Sequence, residues 1–133
     1  MYDYISYYRD KTARWDFSRQ ADIVVINLGT NDLWTGGSSR ALTQAMQDFM
    51  RQVRQKNPQA KIVWAAGGIM ADYLDEADDA VDSLGGPQKG YYVCPLPCGP
   101  NKGGNGHPTA EQHQSMADSL VVLPAAEPPG SAA

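Results

Sequence analysis

The 133-residue chain reads as an α/β fold, three-layer α/β/α, in which a parallel sheet carries helices on both faces. Three observations predict it. Short apolar runs at 23–28, 61–66 and 90–93 have the length and β-branched character of sheet strands, and 40–55 and 108–121 show three- and four-residue apolar spacing. Glycine, proline or asparagine punctuates nearly every junction. Alternation of this kind calls for parallel strands joined by right-handed crossovers.

The opening 1–19 is rich in tyrosine, and the steps between Tyr4, Tyr7, Tyr8 and Lys11 predict an amphipathic helix that leads into Trp15-Asp16-Phe17-Ser18 and packs on the sheet. The run from Ile23 to Leu28 is nearly all apolar, so a strand covered on both faces is expected. Trp34-Thr35-Gly36-Gly37-Ser38-Ser39 is a loop whose serines cap a helix starting near Arg40. Leu42, Ala45, Met46, Phe49, Met50 and Val53 form its apolar stripe, and Asn57-Pro58 ends it.

Residues 61–66 form a second buried strand whose exit glycines, Gly67 and Gly68, permit positive φ or close backbone approach. The acidic stretch 72–84 fits a helix with a solvated face, since the spacing and glycine of a calcium loop are absent. Gly85-Gly86-Pro87 closes it, 90–93 is a short third strand, and 94–106 is a long loop. Pro108 opens the last helix, with Ala110, His113, Met116, Ala117, Leu120 and Val121 on its inner face. One domain over 1–123 is expected, followed by a disordered tail or linker over 124–133. Three strands are few for such a fold, and a doubly wound domain usually begins with a strand. An upstream portion bearing the first strand is therefore expected.

Net charge is −4, from 11 basic and 15 acidic residues, which leaves no basic stripe for phosphates. Nucleic acid is not an expected partner. No apolar run approaches the ~20 residues of a membrane span, so no membrane partner is expected either. Cys94 and Cys98, separated by Pro95-Leu96-Pro97, suggest a small disulfide ring in an oxidising compartment. A structural zinc site is disfavoured, because only His107 and His113 remain to complete four ligands.

Asn31 and His107 are the leading chemical candidates, because each follows an expected strand and parallel strands share one carboxyl edge. Asn31 carries an amide donor suited to a developing oxyanion, and Gly29 leaves room for substrate beside it. An Asx-turn explains Asn31 equally well. His107, between Gly103-Gly104-Asn105-Gly106 and Pro108, is placed as a neutral base is placed, held by backbone and open to solvent. A plain loop histidine is the alternative. His113 falls near the opposite side of the helix start and is expected to be structural.

The block from Val25 to Asp32, together with Gly106-His107-Pro108, closely resembles the third and fifth sequence blocks of the SGNH (GDSL-like) hydrolases. Trp15-Asp16-Phe17-Ser18 and His113-Gln114-Ser115-Met116-Ala117 narrow the resemblance to family 2 carbohydrate esterases, acetylxylan esterases that deacetylate plant polysaccharides. The resemblance implies a flavodoxin-like α/β/α fold, an oxyanion-hole role for Asn31 with Gly29 in the same turn, and His107 as catalytic base. It implies no cofactor and no metal, a substrate that is an acetylated polysaccharide or small ester, and a secreted parent protein. It says nothing of oligomeric state.

Two departures stand out. The Gly-Asp-Ser block that carries the family's nucleophile is absent, so the fragment is expected to be inactive alone. Where the family places an aspartate two or three residues before its histidine, this chain has Asn105 and Gly104. The side-chain carbonyl of Asn105, or a main-chain carbonyl of the loop, is left to accept the Nδ1 proton. The expected chemistry is a Ser-His dyad in which an upstream serine attacks the acetyl carbonyl. Trp34 is a candidate for stacking on a sugar ring. The alternatives are a non-catalytic carbohydrate-binding or interaction module and a lipase- or thioesterase-like member of the same fold.

Overall fold

A strand with neighbours on both edges and helices on both faces organises the molecule, seen in a computed structural model that describes residues 2–6, 10–69 and 73–121. Along the chain come β1 (Tyr4–Ser6), β2 (Asp10–Arg14), β3 (Ile23–Ile26), α1 (Thr30–Trp34), α2 (Ser39–Lys56) and β4 (Lys61–Gly67), then α3 (Leu74–Ser83), β5 (Tyr91–Leu96) and α4 (Ala110–Val121). The main sheet has the order β3-β4-β5, and both pairings are parallel. The three-layer expectation holds.

Side-chain alternation divides the core. Val24, Ile26, Ile62, Trp64, Ala66, Tyr91 and Val93 pack with the stripes of α2 and α3, where Met46, Met50, Val53, Ala77 and Ala80 are wholly buried. Val63, Ala65, Cys94 and Leu96 point the other way, toward Met116 of α4. Register explains the split, since Val63 pairs with Val25 and Ala65 with Cys94.

The amphipathic spacing of α2 translates almost directly into burial. Ser38 caps it, its Oγ accepting from Ala41 N at 3.3 Å, and Leu42, Met46, Met50 and Val53 turn inward. Ala45 does not; it is exposed. Asn57 ends the helix and is itself buried, its Oδ1 accepting from Ala21 N while its Nδ2 donates to Val53 O and the Tyr2 hydroxyl. Arg54 clamps the amino ends of β4 and β5. Its guanidinium donates to the carbonyls of Ala60, Lys89 and Gly90 and lies 4.8 Å from the Tyr91 ring centroid.

Five expectations need correction. The opening segment is an antiparallel hairpin, β1 with β2, and not a helix; Tyr7 and Tyr8 lie outside the described residues. Cross-strand chemistry favours it: Arg14 sits opposite Tyr4, donates to its hydroxyl at 3.0 Å and stacks on its ring. β3 is not covered on both faces. Ile23 is 60% and Val25 48% exposed, because α4 packs chiefly on β5 and β3 has one strand neighbour among the described residues.

The third strand is longer than expected and takes in Cys94, Pro95 and Leu96. Cys94 is buried with its Sγ near Ser119 O, whereas Cys98 is exposed and its Sγ accepts from Gly68 N at 3.1 Å, so both thiols are free. The extended backbone of β5, rising ~3.3 Å per residue, sets Cys94 within the sheet, and Cys98 follows in the loop after it. The last helix begins after Thr109, two residues beyond Pro108, and buries Met116 and part of Leu120; Ala110, His113, Ala117 and Val121 are exposed. The expected tail over 124–133 lies outside the described residues.

Three outcomes are expected of this packing. Tyr73, fully buried, accepts the Gly67 N–H at 3.0 Å, so Tyr73→Phe leaves that donor unpaired and should lower stability by about 1–3 kcal/mol in urea titrations. Thiol titration should modify Cys98 at once and Cys94 only on unfolding, since burial also raises the Cys94 pKa and suppresses its thiolate. Desolvation, then the carboxylates of Asp82, Asp75 and Asp79, raise the Asp78 pKa. A carboxyl whose folded pKa exceeds its unfolded value opposes folding fully above the folded pKa and not at all once both states are protonated. Asp78→Asn should therefore raise Tm at neutral pH and leave it unchanged near pH ~3.

Candidate active site

Everything at the carboxyl edge of the sheet follows from how β3 and β4 end. Past β3, Asn27 Nδ2 donates to Ala65 O at 2.7 Å, which ties the exit of one strand to the next. Gly29 then adopts φ of +118°, buried against Tyr73 and Met46; an added Cβ would meet the Tyr73 ring at 3.4 Å. Glycine serves both needs. Gly29 O accepts from Asp32 N at 3.1 Å, and the chain enters α1 instead of remaining a loop. Asn31 O accepts from Thr35 N and Oγ1, both at 3.1 Å, which fixes the first turn of this short helix.

The Asn31 side chain is exposed there and makes no hydrogen bond among the described residues, so the Asx-turn alternative is not what is observed. The side chain of Trp34 lies outside the described residues.

The histidine loop is held by polar contacts. Gly103 N donates to His107 O at 2.9 Å and His107 N to Gly104 O at 3.1 Å, closing a tight ring around Gly104–Gly106. A Cβ on Gly103 would stand 2.5 Å from His107 O, so only glycine fits. Asn105, with φ of +55°, and Gly106, with φ of +73°, bend the chain back on itself. That bend brings the main-chain carbonyl of Asn105 to 3.2 Å from His107 Nδ1. Of the two acceptors the sequence leaves open, the main-chain one is in place. A proton on Nδ1 donates to it, and Nε2 is then the unprotonated nitrogen.

Beyond the histidine, Thr109 and Gln112 form a reciprocal cap. Gln112 N donates to Thr109 Oγ1 at 3.2 Å and Thr109 N to Gln112 Oε1 at 2.9 Å. Gln112 also reaches Pro100 O and Lys102 N, so one side chain anchors the loop to α4. Sequence reasoning passed over this pair, although Thr109-Ala110-Glu111-Gln112 carries the capping signature.

A groove of about 330 Å³ lies at this edge, on the α4 side of the sheet. Val25, Asn27, Thr30, Gly67, His107 and Met116 are among its walls. The β3 exit and the histidine loop thus meet at one cavity, as the topology of a parallel sheet requires. Thr30 represents the turn in that wall; Gly29 is buried beneath it and Asn31 stands one residue further on. His113 lines the same groove, which corrects its expected placement away from His107. No cluster of three His, Cys, Asp or Glu side chains suited to a metal ion occurs among the described residues.

Residues 7–123 match the sequence model of the GDSL-like Lipase/Acylhydrolase family. The Cellulase/esterase CelE of Acetivibrio thermocellus is 32% identical over 120 residues, covering 82% of this chain and 15% of that protein. An acetylxylan esterase / glucomannan deacetylase of Cellvibrio japonicus is 29% identical over 118 residues, covering 81% of this chain and 32% of the other. Among solved structures, a family two carbohydrate esterase from Clostridium thermocellum in complex with cellohexaose superposes with a TM-score of 0.78 at 30% identity, over 90% of this chain and 39% of that one. The chain spans less than half the length of each. Its sequence and its fold place it in one family: this chain belongs to the GDSL-like lipases/acylhydrolases, with family 2 carbohydrate esterases among its relatives.

Proposed function

We propose that the chain is the carboxyl-terminal part of a carbohydrate esterase that removes acetyl groups from a plant polysaccharide such as xylan. The observation that carries this reading is the His107 loop. Its Nδ1 faces a main-chain carbonyl, which leaves Nε2 as a proton acceptor in the groove that the β3 exit also lines. The activities of the relatives supply the substrate class.

In this reading a serine on an upstream strand gives its proton to His107 Nε2 as its oxygen bonds to the acetyl carbonyl. The carbonyl π electrons move to oxygen, and the resulting oxyanion takes hydrogen bonds from the Asn31 amide and backbone N–H groups near Gly29. Collapse breaks the bond to the sugar oxygen, which leaves with the proton from His107. Water then repeats the sequence and releases acetate. An imidazolium facing a neutral carbonyl is stabilised less than one facing a carboxylate, so the dyad relies more heavily on the oxyanion donors. Trp34, close in sequence to the turn, is a candidate platform for a sugar ring in this scheme.

The open side of β3 supports an upstream strand. Its outer edge, unpaired among the described residues, with Ile23 exposed and Val25 exposed in the groove wall, suits a parallel neighbour that would deliver the serine. A secreted location for the complete protein belongs to the same proposal, since polymeric substrate stays outside the cell.

Residues 1–133 alone should release little acetate from p-nitrophenyl acetate or acetylated xylan. The gene's product with a Gly-Asp-Ser block upstream should turn over, lose ~100- to 1,000-fold in kcat with Asn31→Ala, and be inactive with His107→Ala. Ordinary esterase rates from 1–133, abolished by His107→Ala, would place the nucleophile within this chain. Preference for butyryl or longer esters would move the assignment to lipase- or thioesterase-like members, and inactivity of the complete protein to a binding module.

A further inference from the structure

On the opposite face of the sheet, at the amino end of β3, lies a cavity of about 370 Å³ that the proposed chemistry does not use. Tyr2, Tyr4, Trp15, Phe17, Arg19 and Asn57 line it. Its place follows from alternation: Val24, on the α2 and α3 side, is part of this wall, while Val25 belongs to the groove beyond the sheet.

The aromatic walls are braced from behind. Tyr2 meets Phe49 edge-on at 5.4 Å and Phe17 at 5.2 Å, and its hydroxyl accepts from the buried Asn57. Arg14 covers the Tyr4 ring and Lys56 Nζ lies 4.7 Å from the Phe17 centroid. Trp15 leans on Phe17 at 70° and 6.4 Å yet remains 40% exposed.

Phe17 itself has φ of +56°, a left-handed backbone that a bulky residue rarely adopts. The Asp16 carboxylate accepts from Ser18 N at 3.0 Å and holds that turn. Such strain persists only where surrounding contacts over-determine it, and it concentrates at ligand sites. Here it presents an indole and a phenyl ring side by side at the mouth of a cavity.

We infer that this cavity is an accessory sugar-binding site, with Trp15 as the stacking platform for a pyranose ring. The chemistry of the wall selects this ligand. A pyranose offers apolar C–H faces to aromatic rings and hydroxyls around its rim to groups such as the Arg19 guanidinium and the Tyr4 hydroxyl. A nucleobase would stack as well, but a net charge of −4 disfavours its phosphates. The cavity is of small-ligand size. The choice of a plant polysaccharide as the source of that ring rests on the esterase reading; the site does not need catalysis. The cavity and the groove lie on opposite faces and at opposite ends of β3, so occupancy of one is read separately from occupancy of the other.

Titration of 15N-labelled 1–133 with xylohexaose, and separately cellohexaose, tests this without any turnover. Saturable shifts are expected in the Trp15 indole N–H and in the amides of Arg19 and Ala21, and Trp15→Ala should weaken that binding by about tenfold or more while Trp15→Phe retains most of it. The indole shift is read in the unmodified chain, so a variant that fails to fold does not spoil the test. Shifts confined to Thr30, Gly67 and His107 would mean that sugar binds only in the groove and would overturn the inference. So would shifts at Trp15 that follow protein concentration and not sugar, which mark self-association, or the absence of saturation at ~20 mM sugar, beyond a weak-site Kd.

Discussion

The constraint on which the rest depends is that β4 must satisfy two neighbours and two layers at once. Val24 and Ile26 of β3, and Tyr91 and Val93 of β5, share one face of the sheet with Ile62, Trp64 and Ala66 because the parallel register puts them there. That alternation allots α2 and α3 to one side and α4 to the other. Where β4 stops is equally constrained, since a Cβ on Gly67 would lie 2.7 Å from Leu96 O and 2.9 Å from Cys98 Sγ. Gly67, with φ of +112°, turns the chain away from β5 there, and its N–H goes to Tyr73, whose ring also supports Gly29. One buried tyrosine thus couples the ends of β3 and β4, and the position of Asn31 is inherited from it.

The parts of this fold that were legible in the sequence are those that a single periodicity determines. α2 shows its stripe, its serine cap and its asparagine stop within one continuous segment, and β4 is apolar because both its faces are covered. β3 has the same apolar composition with one face open, so composition could not separate a central strand from an edge one. Ile23 and Val25 are apolar for contacts that the described residues do not supply. The hairpin was hidden for a different reason. Its stability lies in Tyr4 against Arg14, and in Trp15 N donating to Asp3 O, pairings across a turn that a helical spacing count does not weigh.

The sequence singled out Gly29, Asn31 and His107 as candidates through their places after strands, and the structure puts the β3 exit, through Thr30, and the histidine loop at one groove. The acceptor that orients His107 was harder to identify. A side-chain partner has a letter in the sequence; a main-chain carbonyl has none, and its use here depends on the left-handed backbone of Asn105 and Gly106. Asparagine and glycine tolerate that conformation better than other residues do, so the clue was conformational. Replacing a carboxylate by a carbonyl also removes a charge-assisted hydrogen bond, about 1.5–3 kcal/mol, and leaves a neutral one, about 0.5–1.5 kcal/mol. The histidine stays oriented while its protonated form loses support.

How firmly His107 is held then turns on α4, which buries fewer side chains than α2 or α3. Only Met116 is buried along it, with Leu120 partly so, whereas α2 buries four side chains against the sheet. Polar contacts compensate at the end that matters. Thr109 and Gln112 satisfy donors of the first turn, and Gln112 carries the connection on to Pro100 and Lys102, so the start of the helix and the loop behind the histidine move as one piece. The same sparse packing leaves Val25 and Met116 as walls of one groove. A strand paired to the edge of β3 that is open among the described residues would cover part of Val25 in the groove wall, adding on the apolar side to the restraint that α4 draws from hydrogen bonds. Docking such a strand and rigidifying the histidine would therefore be one event, so a serine delivered on it would arrive with its base already positioned.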